Sequence, residues 1–246
     1  FTSFKLNTIK DTSLTFDPNF GGTTDLIDYF DNGVNFVNFF GHGGGGIWSD
    51  VQLMNLQDVE RLNNKGKYPF ITSMTCFTGA FDNPGTPGLA QRLLVVPDKG
   101  AIGILASSGL GWLANDYSML WSVMRDLAEP DISVGEAVTL GKIDYFITSQ
   151  YVISDTIVSG QYWGHNVLKY DMIHEYNLLG DPFIFMGRPP SNVQLRVDNE
   201  LPLPGDTLQV EIEAPFTNAE GYLEFANAKN EIVSREPLFY SGSPGA

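Results

Sequence analysis

Val34-Asn35-Phe36-Val37-Asn38-Phe39-Phe40 runs directly into Gly41-His42-Gly43-Gly44-Gly45-Gly46. The first seven residues are β-branched and aromatic, which predicts a strand. The glycine run that follows predicts a loop without regular structure. The same grammar recurs twice downstream. Pro69 to Thr75 (PFITSMT) reads as a second strand, with Cys76 immediately after it. Ala101 to Ala106 (AIGILA) reads as a third, ending in Ser107-Ser108-Gly109. Two of the three are short, nearly continuous apolar runs, the signature of strands covered on both faces.

Helical patterns fill the intervals. Thr23 to Phe30 is a short helix with threonine caps and Gly33 as its stop. Leu56 to Asn64 has helical periodicity with Asn55 as its cap, and Leu89 to Val96 ends at Pro97. Tyr117 to Ala128, Val134 to Thr148 and Val167 to Tyr176 complete the helices, and Phe183 to Met186 reads as a last short strand. Alternating strands and helices predict an α/β domain with a mainly parallel sheet between helical layers. Ligands of such sheets bind beyond the carboxyl ends of the strands. His42 lies two residues past one strand end and Cys76 one residue past another, and both have small, flexible neighbours.

Arg188-Pro189-Pro190-Ser191 reads as a linker, so residues 1–188 form one domain and residues 189–246 a second, small one. Val193 to Val197, Thr207 to Glu213, Gly221 to Phe225 and Glu231 to Ser234 alternate apolar with polar residues. Their spacing predicts a partial immunoglobulin-like β-sandwich, since a full one needs about seven strands. The opening Phe1-Thr2-Ser3-Phe4 reads as the middle of a longer protein.

Composition narrows the function. The 246 residues are 43% hydrophobic and 13% aromatic, which suits a packed core. Net charge is −15; from Pro189 onward nine acids face three bases, a net of −6, leaving −9 upstream. Without a Lys/Arg cluster there is no counter-ion release to drive nucleic-acid binding. No run approaches the roughly 18 apolar residues of a membrane span. The acidity suits cationic substrates, and loop carboxylates are the oxygen ligands that a structural calcium ion takes.

The one cysteine and the glycine-flanked histidine carry the chemistry. A lone Cys is usually a small buried hydrophobe. A free thiol, with a pKa of about 8.5, is largely protonated at neutral pH, and a nearby imidazole can take its proton and return it to a leaving amine. Acyl transfer also needs donors for the oxyanion, each worth roughly 3 kcal/mol. Gly43, which lets the backbone approach a substrate closely, can offer its N–H, and Cys76 its own.

Four segments then occur in one order. Asn38-Phe39-Phe40-Gly41-His42-Gly43 with Trp48 resembles the GHG…W segment of gingipain-type cysteine peptidases. Met74-Thr75-Cys76-Phe77-Thr78-Gly79-Ala80-Phe81 is similar to their nucleophile segment. Gly100 to Ser107 with Trp112 resembles the strand and substrate-pocket loop that follow, and Asn177-Leu178-Leu179-Gly180-Asp181-Pro182 the segment closing the catalytic domain. The resemblance implies a caspase-like α/β three-layer fold followed by an immunoglobulin-like domain. It implies Cys76 as nucleophile and His42 as general base and acid. Gly43 and Cys76 become the oxyanion donors, and Trp112 and Trp48 border the substrate pocket. The His-to-Cys separation is 34 residues; caspases also put the His first, by around 50.

The family's acidic residues, one orienting the histidine and one selecting a basic side chain, lie upstream of the GHG segment, so this chain on its own is expected to lack them and to be inactive. The runs FFGHGGGGIW and MTCFTGAFD look closer to the family's type IX secretion sortases than to its secreted gingipains. That likeness implies a secreted or outer-membrane, cell-surface location in a bacterium. Its implied partners are protein or peptide substrates, secretion-system proteins and a lipopolysaccharide acceptor, with no required cofactor. The alternative is a non-catalytic, peptidase-like scaffold that binds partners.

The remaining polar residues read more plainly. Asp50 is a loop anchor, and Asp116, Asp126, Asp131 and Asp144 are scattered, solvated acids. His165 and His174 stand nine apart, not the four of a helical zinc pair, so no metal site is expected there. Gly43 to Gly46 lacks the Lys-Ser/Thr of a phosphate-binding loop.

Overall fold

The computed structural model describes residues 5–9, 17, 19–49, 53–82, 85–129, 131–148, 165–187, 194–199, 205, 207, 209–213, 218–226 and 232–241. The chain divides into two compact units. One comprises Leu6–Thr8 with Gly21–Gly187, the other Phe1–Lys5 and Ile9–Phe20 with Arg188–Ala246.

The larger unit opens with α1 (Thr23–Asn32). Its cap is Gly22, whose N–H donates to the Asp25 carboxylate at 2.8 Å, so the threonines lie inside the helix and do not cap it. β1 (Phe36–Phe40) follows. The glycine run is not irregular. β2 (Gly43–Gly44) pairs antiparallel with β3 (Ile47–Trp48), which pairs with β4 (Met54–Asn55). The expected helix over Leu56 to Asn64 is a single 3₁₀ turn, Asp58–Arg61. Its N-cap is Gln57, not Asn55, whose carboxamide oxygen accepts from Gln57 N at 2.8 Å in the turn just before, and Leu62 is already extended.

β5 (Phe70–Met74), α2 (Leu89–Val95), β6 (Gly103–Ser107), α3 (Leu113–Leu127) and α4 (Val134–Thr148) come next. α5 (His165–Glu175) passes without a loop into β7 (Tyr176–Gly180). The last strand is therefore Tyr176–Gly180, not Phe183–Met186. Antiparallel pairing to β6, from Ser107 opposite Tyr176 to Gly103 opposite Gly180, takes this segment into the sheet. Gly180, at φ +127°, leaves its would-be Cβ position 2.9 Å from the Gly103 Cα, which no other residue tolerates. Phe183 to Met186 instead runs beside the start of α4, where Val134 N donates to Ile184 O at 2.7 Å.

The sheet order is β1-β5-β6-β7, parallel across the first three strands and antiparallel at the last. Alternate residues of each strand feed two separate cores. Ile71, Ile104 and Ala106 pack with Leu26, Ile27 and Phe30 of α1 and Leu89 and Leu93 of α2. Phe70, Met74 and Leu105 pack with Met119 and Val123 of α3, Ala137 and Val138 of α4 and Met172 of α5. The result is three layers. Residues of β5 and β6 are buried throughout, as the apolar runs predicted.

In the smaller unit β8 (Gln194–Val197) pairs antiparallel with β9 (Val210–Glu213), and β10 (Asn218–Ala226) with β11 (Ile232–Ser241). β8 and β9 lie within the segments predicted from alternation, whereas β10 begins three residues before its segment and β11 runs seven residues past Ser234.

Candidate active site

Three parallel strands end on one edge of the sheet, and the antiparallel β7 begins there. That edge collects Gly41 and His42 after β1, Thr75 and Cys76 after β5, Ser108 to Trp112 after β6, and Glu175 and Tyr176 at the start of β7.

The register of β1 against β5 pairs Phe36 with Phe70 and Phe40 with Met74, an offset of 34 residues. His42 and Cys76 are separated by the same 34, so each lies two residues beyond the last register pair. Neighbouring strands are about 4.8 Å apart. The contact carries on past the ladder: Gly41 N donates to Met74 O at 3.4 Å. A Cβ on Gly43 would lie 2.6 Å from Thr75 Oγ1 and 3.0 Å from Ile47 O, so the residue after the histidine is seated against the residue before the cysteine.

The short hairpin fixes the histidine loop. Ser49 N donates to His42 O at 2.8 Å, and β2 pairs with β3. His42 is exposed and Cys76 half-buried. Trp48, expected at the substrate pocket, is a core residue with 1% exposure. It stacks on Phe39 at 4.9 Å and donates from Nε1 to Ser73 Oγ at 2.8 Å, so its role is to pin the hairpin to β5. A side chain sealed this way has no face left for a peptide. Asp50 lies outside the described residues.

The cysteine loop turns sharply. Phe77 has φ +56°, a left-handed conformation that non-glycine residues adopt at a cost and that clusters at functional sites. Its N–H donates to Gly109 O at 2.8 Å, and Gly79 N donates to Ser107 O at 2.8 Å, folding the loop back over the end of β6. Gly79 is required there, because a Cβ would fall 2.8 Å from Ala106 O. The sulfur lies under the strap that leads into α3. Gly111 N donates to Cys76 Sγ at 3.2 Å, and Gly111 O is 3.7 Å from it. Trp112, half-buried, is the next residue and the N-cap of α3, so it stands beside the thiol's own partner.

Behind the strap is a group of side chains that the sequence did not disclose. Asp116, read as a solvated acid, is 4% exposed. Tyr176 Oη donates to Asp116 Oδ1 at 2.7 Å. Burial pushes the Asp116 carboxyl up to about 6, against the opposing hydrogen bonds from Tyr176 and the Trp112 backbone. The Tyr176 hydroxyl is pushed well up by burial and then by Asp116, with Cys76 and Glu175 adding to it. Burial also raises Glu175, with Asp171 and Asp116 contributing. Asp126 is buried as well, beside Arg125, and half-buried Asp144 accepts from Ser122 Oγ at 2.9 Å. Of the four acids expected in solvent, Asp131 alone is exposed. The sequence offered one hint: Asp116 falls at a helical position, i−3 to the core residue Met119.

His174 is exposed on α5, and His165 opens that helix. Among the described residues no three of His, Cys, Asp and Glu converge as metal ligands, and no helix is long and apolar enough to cross a membrane.

A search of curated proteins finds no match. Among solved structures, that of the Arg-specific cysteine proteinase gingipain R (RgpB) superposes with a TM-score of 0.57 at 18% identity, over 93% of this chain and 51% of that one. The complex of RgpB pro- and mature domains from Porphyromonas gingivalis gives 0.57 at 17% identity, over 93% and 52%. A structure described as a protease gives 0.54 at 18%, over 87% and 53%. At these identities the likeness establishes the fold, an α/β arrangement with a mainly parallel sheet, and the chain spans about half the length of each relative. The model of peptidase family C25 matches residues 4–186. The chain belongs to that family of gingipain-type cysteine peptidases.

Proposed function

We propose that this member of peptidase family C25 contributes the nucleophile and the general base of a cysteine peptidase that acts on protein substrates. The observation that carries the reading is the shared offset: strand register and His–Cys separation are both 34 residues, so the two loops leave neighbouring strands side by side. Cys76 Sγ attacks the scissile carbonyl after its proton passes to His42. The tetrahedral oxyanion is met by the Gly43 and Cys76 N–H groups, and the imidazolium then protonates the leaving amine. A thioester on Cys76 remains, and water or an amine resolves it. Trp112 borders the pocket for the residue before the scissile bond.

The finer reading follows from the FFGHGGGGIW and MTCFTGAFD runs. In it, the protein works at a bacterial cell surface as a type IX secretion sortase, removing C-terminal signal domains from secreted proteins; an amine on lipopolysaccharide then attacks the thioester, taking the acyl group as an amide and releasing the Cys76 thiol. Residues 189–246 would then be an immunoglobulin-like module that follows the catalytic domain in the chain, and any calcium a structural ion.

Cys76→Ala, made in the whole protein that contains this chain, is expected to abolish cleavage of secreted cargo while the thermal melt stays unchanged. Cleavage at the wild-type rate by that variant ends the peptidase reading.

A further inference from the structure

Between the thiol and the floor of the domain runs one continuous chain of contacts. The Gly111 N–H points at Cys76 Sγ. Gly111 itself is clamped: a Cβ there would lie 2.6 Å from Asp116 Oδ2 on one side and 3.1 Å from the Thr75 carbonyl carbon on the other. Asp116 stands in the first turn of α3, where its N–H donates to Trp112 O at 2.7 Å and closes the turn. Tyr176 Oη donates to its carboxylate from the far side. Tyr176 is in turn fully buried, paired across the sheet with Ser107, and its carbonyl accepts from Lys142 Nζ. The strap is tied to the cysteine loop and to β6 and α5 through Gly109 and Ser108, and at Gly111 it meets a buried carboxylate with a buried phenol behind it.

We propose that Asp116 and Tyr176 are positioning residues for the nucleophile, a brace that holds the Gly111–Trp112 strap down so that the Gly111 N–H stays on the Cys76 sulfur. The proposal rests on the reading of Cys76 as the nucleophile and adds to it two residues that act through the strap, without touching substrate. A hydrogen bond to the charged form of a group favours that form, and the brace keeps such a donor, the Gly111 N–H, on the sulfur. The ionisable groups facing Asp116 are Tyr176 of β7, Glu175 at the end of α5 and Tyr145 of α4, and Cys76 faces Tyr176. A bare carboxylate beside a thiolate repels it, so the two effects of Asp116 have opposite signs, and their balance can be measured.

The measurement is the rate of iodoacetamide alkylation of Cys76, followed at the Cys76 peptide by mass spectrometry in the whole protein. Asp116→Asn replaces one acceptor oxygen by an NH₂ donor, which frees the strap, and also removes the negative charge. With the brace as described, its alkylation at about pH 6.5 slows by roughly threefold or more, while the rate at about pH 9.5, where thiolate is abundant, is unchanged. If charge alone matters, the same variant reacts faster at about pH 6.5. Tyr176→Phe removes one hydroxyl, keeps the ring and the charge, and is expected to slow the reaction in the same pH-dependent way by a smaller factor. Near-UV circular dichroism selects the natively folded variants. Should Asp116→Asn fail to fold, Tyr176→Phe decides the matter. Unchanged or faster alkylation at about pH 6.5 in the folded variants overturns the brace. Because alkylation needs no substrate, the result stands apart from whether Cys76→Ala abolishes cleavage.

Discussion

The two ends of the central sheet are built from the same strands but handle their polar groups differently. At the end where β1, β5 and β6 begin, Asn64 is fully buried, and its side chain exchanges two hydrogen bonds with the Gly100 backbone, at 2.8 and 2.9 Å. At the opposite end, Thr75 Oγ1, Asn115 Oδ1 and Glu175 Oε2 are buried with no hydrogen-bond partner among the described residues. There too are the left-handed Phe77, an acid displaced to about 6 and a sulfur held by a backbone N–H. A concavity of about 480 Å³, lined by Tyr68, Leu94, Lys99, Ile102 and Gly180 among others, belongs to the satisfied end and lies away from Cys76. Unmet polar groups and a displaced ionisation mark the functional one; a left-handed residue does not, because Asp98 at the other end has φ +61° against +56° for Phe77.

The largest effect expected on stability tests whether the hairpin under His42 is a structural device. Trp48→Ala removes a fully buried indole, its stack on Phe39 and its bond to Ser73. A loss of about 3–5 kcal/mol by denaturant titration is expected for such a truncation. Trp48→Phe keeps most of the packing and loses the N–H, at about 1–2 kcal/mol, by leaving Ser73 one donor short. A Trp48→Ala variant of wild-type stability would mean that the indole is dispensable to the fold and would reopen it as a pocket residue.

What was legible in the sequence follows the same division between packing and chemistry. β5 and β6 were plain because both faces are covered, and an apolar run of strand length leaves no other reading. α4 has the bounds its pattern predicted, Val134–Thr148. β7 escapes the sequence pattern, which puts Tyr176 at a helix end and assigns no strand to Asn177–Gly180, because Tyr176 to Gly180 pairs with a strand some 70 residues earlier, a partnership that no local window contains. The same long range hid Asp116. Its burial depends on Tyr176, 60 residues away, so nothing beside it in the sequence separates it from a solvated acid. His42 and Cys76 were readable because strand ends with small neighbours are local features; Gly111, Thr75 and Tyr176 were not, because their roles come from the contact between loops.

Next in size is a pH dependence at the end that carries Cys76. The Asp116 carboxyl titrates at about 6 in the folded protein against an ordinary value of 3.8. A carboxyl raised in the native state holds its proton more tightly there than in the unfolded chain. Its contribution to stability is therefore full below about pH 3.8 and is lost as pH rises through about 6. The displacement corresponds to about 3 kcal/mol at most. Asp116→Asn lacks this titration. Unfolding titrations of the two proteins between about pH 4 and pH 7 are expected to show the variant gaining on the wild type by up to that amount as pH rises. A gap that stays constant across the window would place Asp116 in water and remove the contrast between the two ends.

The smallest of these effects belongs to the satisfied end and serves as its control. Asn64→Ala deletes a carboxamide that donates to Gly100 O and Lys67 O and accepts from Gly100 N. The Gly100 N–H and C=O, buried beneath it, lose their partners, and leaving such groups unpaired costs about 1–3 kcal/mol. Gly100 cannot adjust to compensate. It sits at φ +93°, and its would-be Cβ position is 2.0 Å from Leu93 O, so backbone and helix are locked together there. The loss should appear as a lower denaturation midpoint. Alkylation of Cys76 should be unchanged at either pH, because no contact described above links Asn64 to the strap over the sulfur. If Asn64→Ala slows that reaction as Asp116→Asn does, the two ends of the sheet are energetically coupled, and the separation between a structural end and a chemical end fails.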